Sequence, residues 1–558
     1  MKRDIGLLTE KEFDIVIIGG GIYGAAIAWD GVLRGLSVAL IEKGDFGSAT
    51  SSNSLKIVHG GLRYLQHLDF KRMRESIRER RVLMHIAPHL VHPLPCVMPT
   101  YGHMAKGKEV MFIGLLMNDI ISLDRNRIED PTKHIPMGKI ISKGECLRLI
   151  PGIDFRRVNG GLLWTDGQLY NSERFLLSFI LSASEKGAVV ANYVQADRLI
   201  VKKGRVRAVR ATDVLTGDSV EIRGRLFINA SGAWIDEVLS GVKSTECRIN
   251  LSTAMNIVIK KQLLPGCAAG IYSKYYHERD DGSIYEGRRI LFMTPWRRYT
   301  IIGTYHLPYH GRPSEMKVTE YEIEDFIKQI NSGYPGSPIT MDDVCFFYKG
   351  FLPMDGFDPN KGEVRLTHHY LIYDHQRRDG LDGLITVVGV KLTTARDVAE
   401  KTLNLALKIL GKQRPCETHR VRLIGGGIKR FDEFVEGVRN NIDFSLKEDV
   451  KVHLAYNYGT EYKKVLKYMM ENDKLKESVS ENTNVTGAEI IHAVREEMAC
   501  KLSDVVLRRT ELGSGENPGK DVLKRCALLM GGELGWGRRR IKDEIEETEK
   551  IYELFKEQ

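Results

Sequence analysis

Close cysteine pairs and long apolar runs are both missing from this sequence. No two of the eight cysteines lie within five residues of each other, so there is no CxxC signature of a zinc or redox site and no sign of a disulfide framework. Outside the glycine-rich turns the longest apolar run, Val110 to Met117, has eight residues, whereas a membrane-spanning helix needs about 20. The N-terminus lacks a signal-peptide cleavage pattern. We therefore expect a reducing, cytoplasmic location, with any contact to the inner face of the cell membrane being peripheral.

The charge balance is only mildly basic. A formal net charge of +9 over 558 residues does not by itself indicate nucleic acid, and it suits an anionic substrate or an anionic membrane surface equally well. The helix-like segment Lys71–Arg81 carries six basic and two acidic residues. Because Glu75 and Glu79 are interleaved, we interpret it as a solvated helix face rather than a contact for phospholipid or nucleic acid. We predict no nucleic-acid partner.

The N-terminal region has the pattern of one βαβ unit. An apolar run at Phe13–Ile18 is typical of a buried parallel strand, Ile22–Arg34 has helical character, and Ser37–Ile41 resembles a second strand. Strand-like segments recur at Leu226–Ala230 and Leu384–Val388, each followed by a turn that contains glycine. This spacing predicts strands of one sheet with other material inserted between them.

A dinucleotide-binding fingerprint lies in this unit. Gly19, Gly21 and Gly24 form GxGxxG between the first strand and the helix, and Glu42 ends the second strand. Glycines permit a tight turn and close approach of the backbone to a pyrophosphate, the helix start offers unpaired N–H groups, and the carboxylate can accept ribose hydroxyls. A purely structural turn is the alternative, although the complete arrangement argues against it.

The fingerprint is shared by FAD and NAD sites, so the following segment has to distinguish them. A run of small hydroxyl residues precedes HGGLRY and could supply donors to an anionic and heteroaromatic ligand; it comprises Ser48, Thr50, Ser51, Ser52 and Ser54. A serine-rich loop without a ligand explains the composition equally well.

The remaining chain divides into a β-rich middle and a helical tail. Residues 94–159 and 248–369 contain short β-like runs such as Tyr299–Thr304 and predict a mostly antiparallel layer. After about Gly425 charged amphipathic stretches dominate, and Thr486 with Glu489 forms a capping-box pattern. The chain of 558 residues is longer than an ordinary domain of about 100 to 200 residues. We therefore expect several domains.

Several motifs resemble the FAD-dependent glycerol-3-phosphate dehydrogenases, which have a D-amino-acid-oxidase-like flavoprotein fold. The resemblance covers nearly the whole chain, and its motifs occur in the family's order. They are GGGIYGAAIAWDGVLRGLSVALIE, ATSSNSLKIVHGGLRYL, NASGAW, PWRRYTIIGT, GVKLTTARDVAE and the tail segment VREEMACKLSDVVLRRT.

The resemblance implies an α/β fold with a Rossmann-like FAD-binding domain, an inserted, mostly antiparallel β substrate layer and a C-terminal all-α domain. We expect the oxidoreductase domain at 12–425, with FAD-binding parts at about 12–93, 160–247 and 370–412, the substrate layer at about 94–159 and 248–369, and the helical domain at 426–558. The residues expected to bind FAD are Gly19, Gly21, Gly24, Glu42, Lys43, Thr50, Ser51, Ser52, Val194, Ala230, Gly232, Gly389, Leu392 and Thr393. No metal ligands are expected.

The activity implied is oxidation of sn-glycerol 3-phosphate to dihydroxyacetone phosphate by hydride transfer to flavin N5. The electrons would pass to a quinone, to oxygen or to an electron-transfer partner subunit, and a peripheral membrane contact and a homo-oligomer remain open. By position, the residues on the substrate side would be His59, Arg63, Tyr64 and Lys391.

The chemistry of alcohol oxidation supports these roles. Histidine suits removal of the hydroxyl proton, and lysine or arginine suits stabilisation of the developing alkoxide. We expect Thr393 and Thr394 to cap the helix that follows Lys391 and runs to about Ile409, with its positive end towards the flavin. Taken without the resemblance, His59 reads as an ordinary loop histidine and Lys391 as a solvated lysine at a helix start.

The substrate layer departs from the family pattern at four positions. Leu352 and His368 stand where the family has arginines, Asn256 stands in place of a histidine, and His306 in place of an acidic residue. A lost charge-assisted contact to phosphate costs about 1.5 to 3 kcal/mol. Other cations are available to rebuild an anion site, although a solvated basic loop explains them as well: Arg288, Arg289, Arg297 and Arg298.

Two alternatives therefore stand beside the leading hypothesis. One is a FAD-dependent dehydrogenase of a different polyol phosphate, polyol or hydroxy acid. The other belongs to a different class, a flavoprotein subunit that acts mainly in assembly or electron relay, against which the presence of His59 and Lys391 weighs.

Overall fold

Two β-sheets and a helical C-terminal region make up the part of the chain that the computed structural model describes, namely residues 1–62, 64, 68–102, 108–242, 247–442 and 445–553. The strands are β1 (Phe13–Ile18), β2 (Val38–Ile41), β3 (Ile57–Val58), β4 (Val91–Tyr101), β5 (Lys139–Ile141), β6 (Val158–Leu169), β7 (Val189–Ala191), β8 (Val194–Lys202), β9 (Arg205–Asp213), β10 (Ser219–Asn229), β11 (Leu251–Ile259), β12 (Ala268–Glu278), β13 (Ile284–Trp296), β14 (Tyr299–Tyr309), β15 (Val344–Asp358), β16 (Glu363–Leu366), β17 (Leu371–Asp374) and β18 (Leu384–Val388).

The helices alternate with these strands in the first three quarters of the chain and then follow one another. They are α1 (Ile22–Leu33), α2 (Phe70–Ile86), α3 (Lys108–Ile121), α4 (Lys143–Leu149), α5 (Ser172–Glu185), α6 (Ile235–Leu239), α7 (Glu320–Gly333), α8 (His375–Asp379), α9 (Ala395–Ile409), α10 (Phe431–Asn440), α11 (Glu448–Tyr458), α12 (Tyr462–Glu471), α13 (Gly487–Glu497), α14 (Leu502–Asp504), α15 (Lys520–Leu534) and α16 (Arg538–Lys550). None of the described helices is both long and apolar enough to span a bilayer.

The first sheet has the strand order β17-β18-β10-β1-β2-β7, along which every pair is parallel except β17 with β18. Strands β8 and β9 extend it from β10 in antiparallel pairs. Helices α1, α5 and α9 cover one face, and the β8–β9–β10 meander covers the other. Strands buried on both faces read as continuous apolar runs, which is why the sequence revealed them. The prediction that the distant segments share one sheet is confirmed, because Ile15 pairs with Leu226, and Phe227 pairs with Leu384.

The second sheet is the β-rich layer expected between the parts of the first. Its ten strands run in the order β16-β15-β11-β14-β13-β12-β4-β6-β3, with β5 beside β6. All pairs are antiparallel except β12 with β4, so the expectation of a mostly antiparallel layer is confirmed. Helix α7 packs its apolar side chains onto this sheet.

The C-terminal region is helical, as the amphipathic pattern indicated. Helices α10–α16 enclose two apolar clusters of their own. The capping box at the start of α13 is present, since the Thr486 N–H donates to Glu489 over 2.7 Å. The predicted fold class, an α/β flavoprotein with an added all-α region, agrees with this architecture.

Candidate active site

A cavity of about 970 Å³ opens where the parallel strands end. Its wall includes Ile18, Ile41, Ala230 and Val388, which end or directly follow β1, β2, β10 and β18. Ligands in open α/β sheets bind at the carboxyl ends of the strands, where the chain leaves in opposite directions on the two sides of the first strand. Small-molecule sites have volumes of about 300 to 1,000 Å³, and this cavity lies near the upper limit. It therefore suits a large cofactor together with a small substrate.

The glycine turn forms the floor of this cavity. Gly19 has a φ of +110°, and a Cβ there would lie 2.6 Å from the Ala230 carbonyl oxygen. A Cβ on Gly24 would lie 1.9 Å from the Gly19 carbonyl oxygen, so Gly24 is needed for helix α1 to approach the turn. Gly21 is the N-cap of α1 and has no side-chain cap. The turn thus presents bare backbone and a helix N-terminus to an anionic ligand.

Glu42 holds the turn and the following loop together. Its carboxylate accepts hydrogen bonds from the N–H groups of Gly20 at 2.7 Å and Gly44 at 2.9 Å. Burial raises its pKa. Each carboxylate oxygen has a further lone pair, and the residue lies on the cavity wall, so it can also accept a ribose hydroxyl.

The hydroxyl-rich loop lines the cavity through Ser48, Thr50, Ser51 and Ser54 and also fixes its surroundings. The Ser51 hydroxyl accepts the Ile22 N–H at 3.0 Å, at the start of α1. Thr50 exchanges two hydrogen bonds with the backbone of Phe351, which ties this loop to the second sheet. Ser52 donates to the Gly47 carbonyl and does not lie on the cavity wall.

Lys391 is positioned by a residue that the sequence did not single out. The Tyr23 hydroxyl donates to the Lys391 carbonyl at 2.6 Å and accepts the N–H groups of Val390 and Lys391 at 3.1 and 3.0 Å. Burial raises the pKa of Tyr23 to about 12, so its proton stays in place. Gly389 permits this approach, because a Cβ there would lie 1.9 Å from the Tyr23 ring.

His59, Tyr64 and Lys391 come together at one end of the cavity. The Lys391 ammonium lies 4.3 Å from the centre of the Tyr64 ring, and the His59 and Tyr64 rings are 5.7 Å apart in an edge-on arrangement. Tyr64 is buried and lies behind His59 and Lys391, which both line the cavity. The predicted Arg63 lies outside the described residues.

Helix α2 fixes the His59 loop from behind, which corrects its interpretation as a solvated face. Arg72 and Arg80 are buried in this helix. Arg80 donates to Asp166 at 2.6 Å, and the same carboxylate accepts the Gly60 N–H at 2.5 Å. The interpretation holds for exposed Lys71 and Arg74, but Arg72 and Arg80 serve as internal supports.

Helix α9 begins beside Lys391 without the predicted hydroxyl cap. Thr394 is its N-cap residue but makes no side-chain cap hydrogen bond. Its ψ of 9° lies outside the extended region that a capping side chain requires. Leu392 and Thr393 line the cavity, so the positive end of the helix lies next to the ligand space.

Of the four positions that depart from the family pattern, three line the cavity and one does not. Asn256, His306 and Leu352 line the cavity, whereas His368 does not. Asn256 accepts a hydrogen bond from the Thr304 hydroxyl at 2.9 Å. The cavity wall, as far as the described residues form it, contains no arginine.

The four arginines considered as a replacement anion site lie elsewhere. Arg297 and Arg298 form ion pairs with Glu511 and Glu516 of the C-terminal region, and Arg289 lies over the Tyr275 ring. None of the four lines the cavity. Neither the anion site nor the solvated loop therefore describes Arg297, which is mostly buried against the C-terminal region.

The structure brings most of the predicted cofactor residues onto one wall. Gly24 and Ser52 support this wall from outside. Those that line the cavity are Gly19, Gly21, Glu42, Lys43, Thr50, Ser51, Val194, Ala230, Gly232, Gly389, Leu392 and Thr393.

These residues fit FAD. The glycine turn and the start of α1 would hold the pyrophosphate, and Glu42 the ribose. The start of α9 would lie along the isoalloxazine, whose substrate face would be next to His59 and Lys391. Fold and cavity together define a flavin-dependent oxidoreductase.

Comparisons with known proteins agree with this class. The family model "FAD dependent oxidoreductase" matches residues 14–395, and the model "C-terminal domain of alpha-glycerophosphate oxidase" matches residues 416–541. The chain belongs to the FAD-dependent glycerol-3-phosphate dehydrogenase family of these oxidoreductases.

Relatives match along nearly the whole chain. The glycerol-3-phosphate dehydrogenase of Synechocystis sp. is 32% identical over 569 residues, covering 99% of this chain and 98% of the relative. The mitochondrial glycerol-3-phosphate dehydrogenase of Homo sapiens is 31% identical over 584 residues, covering 99% of this chain and 75% of the relative. The crystal structure of the Bacillus halodurans glycerol-3-phosphate dehydrogenase complexed with FAD has the same fold, with a TM-score of 0.75, 24% identity and coverage of 99% of this chain and 96% of that one.

Proposed function

We propose that this chain oxidises sn-glycerol 3-phosphate to dihydroxyacetone phosphate. The observation that carries the proposal is the placement of His59 and Lys391 at the end of a cavity whose remaining wall fits FAD. Relatives that carry the name glycerol-3-phosphate dehydrogenase at 31 to 32% identity along the chain support the choice of substrate.

The bound flavin supplies the chemistry of hydride acceptance at N5. The side chains have to take the hydroxyl proton and to stabilise the negative charge that develops on oxygen. We assign the proton to Nε2 of His59, because Nδ1 of this ring is buried. The Lys391 ammonium and the start of α9 supply the positive field for the alkoxide and for the substrate phosphate.

The test is anaerobic reduction of the FAD-loaded protein by glycerol 3-phosphate. The loss of the flavin absorbance band measures the rate of this reduction. His59→Asn should slow this reduction by about a hundredfold to ten-thousandfold, the usual contribution of a general base, while FAD remains bound. Thr132→Ala, in a short 3-10 helix that does not line the cavity, is the control and should leave the rate unchanged. Unaltered reduction by the His59 variant would show that another group takes the proton.

A second candidate function is oxidation of a different polyol phosphate, polyol or hydroxy acid. It is favoured by neutral Leu352 and by the absence of arginine from the described part of the cavity wall. The same reduction assay across a panel of such alcohols separates the two. Fast reduction by glycerol 3-phosphate alone would rule out the second candidate function. Fast reduction by another alcohol instead would favour the second function over oxidation of glycerol 3-phosphate.

For the electron acceptor we propose a quinone reached through peripheral contact with a lipid surface. Helix α3 exposes a face of large apolar side chains, of which Ile113 is 57% and Ile120 66% exposed. Its other face packs, through Met111 and Leu115, into the apolar cluster on which Ile57 and Leu62, on either side of His59 in the chain, also pack. Such a helix lies well at a membrane interface.

The contact is tested by flotation with anionic phospholipid vesicles. The variant Ile113→Glu/Ile120→Glu should stay unbound and reduce a water-soluble acceptor normally but a vesicle-borne quinone slowly. If this variant floats as the parent does, helix α3 is not the contact. Turnover of the isolated chain with the soluble acceptor also decides against a role confined to assembly or relay.

A further inference from the structure

The C-terminal region reaches into the flavin domain through two adjacent arginines. Arg508 and Arg509 lie in a π-helical turn, Val505–Arg509, that follows α14. Arg509 holds both carboxylate oxygens of Asp45, with Nη1–Oδ2 and Nη2–Oδ1 distances of 2.6 and 2.7 Å. Arg508 Nε donates to the same carboxylate at 2.5 Å. The Asp45 side chain is completely buried, and only 1% of the Arg509 side chain is exposed.

Both arginines are held by their own domain. Arg508 also donates to Asp504 at 2.8 Å, and Arg509 Nε donates to the Glu497 carbonyl at 3.0 Å. Asp504 in turn accepts the Tyr193 hydroxyl at 2.6 Å. The two arginines are therefore fixed donors that Asp45 must meet, rather than flexible side chains that follow it.

Asp45 lies in the loop that builds the nucleotide end of the cavity. Its neighbour Gly44 donates to the Glu42 carboxylate at 2.9 Å. Two residues beyond Asp45, the Gly47 N–H donates to the Gly20 carbonyl of the glycine turn at 3.1 Å. Asp45 consequently anchors, from the side of the C-terminal region, the loop whose hydrogen bonds hold Glu42 and the glycine turn, the two groups that fit the ribose and the pyrophosphate.

The charges in this cluster balance only when all members are present. Burial opposes ionisation of Asp45, but Arg509 and Arg508 keep its pKa below the ordinary value. Two arginines face two carboxylates, Asp45 and Asp504. Removing Arg509 leaves one arginine for two buried carboxylates and so an uncompensated charge, which favours movement of Asp45 towards water. That movement would pull on the loop that carries the hydrogen bonds of Gly44 to Glu42 and of Gly47 to the glycine turn.

We propose that Arg508 and Arg509 are positioning residues for FAD, so that the helical C-terminal region sets the affinity of the nucleotide site through Asp45. The proposal rests on FAD as the cofactor but not on the identity of the alcohol. A simpler role, in which the ion pairs merely fasten two parts of the chain together, predicts lower stability without a change in FAD affinity.

The test measures two quantities, the rate at which FAD leaves the holoenzyme after dilution and the Kd for its rebinding. The rise in flavin fluorescence monitors the release. Arg509→Met should raise the Kd about tenfold to a hundredfold, in line with the loss of a charge-assisted hydrogen bond. Arg509→Lys should fall between the parent and Arg509→Met, because it keeps the charge but cannot bind both oxygens. At saturating FAD all three should reduce the flavin at the same rate.

His453→Gln is the matched control. It breaks a buried ion pair of the C-terminal region, with Glu489 and Glu511, that does not touch the loop. It should lower the melting temperature and leave the Kd for FAD unchanged. If Arg509→Met does not fold, Arg509→Lys carries the test alone, with a smaller rise in Kd. The charge-balanced double variant Asp45→Asn/Arg509→Met leaves no unpaired carboxylate at position 45, so its Kd should return towards the parent value.

A Kd that stays within twofold of the parent value in the folded Arg509 variant overturns the proposal. Parent holoenzyme that binds FAD but is not reduced by glycerol 3-phosphate would instead contradict the proposed function, and the comparison of Kd values would still stand. The two failures are therefore distinguishable.

Discussion

The hydroxyl of Tyr23, in the first turn of α1, donates a 2.6 Å hydrogen bond to the carbonyl of Lys391, 368 residues further along the chain. The same hydroxyl accepts the N–H groups of Val390 and Lys391. One side chain thus joins the first turn of α1 to the backbone of Lys391, the residue proposed to face the substrate.

Replacing Tyr23 by Phe should lower both stability and the rate of flavin reduction. The change leaves one carbonyl and two N–H groups without their partner, which costs about 1 to 3 kcal/mol for each buried group left unsatisfied, and it frees Lys391 to move. Melting temperature and anaerobic single-turnover reduction are the measurements. Tyr334→Phe is the control, since it removes one buried hydroxyl bond to Leu263 far from the cavity. It should lower stability alone; a similar loss of rate in both variants would contradict the positioning role of Tyr23.

Asp166→Asn should slow reduction without releasing FAD. The amide is a weaker acceptor for the Gly60 N–H and a poor partner for buried Arg80, so the His59 loop loses its support. We expect a rate constant about tenfold to a hundredfold lower, from a loss of about 1.5 to 3 kcal/mol in charge-assisted bonding. Trp164→Phe, which removes only the indole bond to the other carboxylate oxygen, should have a smaller effect. Equal rates in Asp166→Asn and the parent would exclude the supporting role.

Gly24→Ala should yield protein without bound flavin. Its Cβ would lie 1.9 Å from the Gly19 carbonyl oxygen, so α1 has to move away from the turn that fits the pyrophosphate. The ratio of flavin to protein absorbance after purification measures the result. Gly532→Ala in α15, where a Cβ meets nothing within 4 Å, should retain a full complement. A fully loaded Gly24 variant would contradict the assigned packing.

Stability should depend on pH through His453. Although burial opposes its charge, Glu489 and Glu511 raise the pKa of His453 to about 10, above the value of about 6.5 expected in the unfolded chain. Its contribution is therefore complete below pH 6.5 and disappears as the pH rises through 10. His453→Gln should cost about 3 to 5 kcal/mol at pH 6, the usual effect of breaking a buried pair, and much less at pH 10. Chemical unfolding of both proteins at the two pH values gives the difference; a cost that is the same at both would refute the assignment.

The sequence predicts those parts of the fold whose secondary structure follows from a single local pattern. Strands β1 and β18 are buried on both faces and therefore appear as apolar runs. Gly19 and Glu42 form a local motif with a single physical purpose. The order of the motifs indicated the family resemblance, and this resemblance predicted that His59 and Lys391 belong to one site.

The supports of the site depend on distant contacts and had no comparable signal. Arg80 looked like a surface charge because its partner Asp166 is 86 residues away. Thr394 looked like a cap because its residue type favours one, but its backbone angles do not permit it. Tyr23 is a single aromatic residue in a glycine turn, and nothing in the sequence pairs it with Lys391.

The separation of Asp45 from Arg509 also orders events during synthesis. Asp45 emerges from the ribosome early, whereas its counter-charge lies 464 residues later. Domains generally form as the chain is made, beginning at the N-terminus, but Asp45 gains its counter-charge only when Arg509 arrives. On the proposed role of Arg509, tight FAD binding is therefore expected only after this residue has been made.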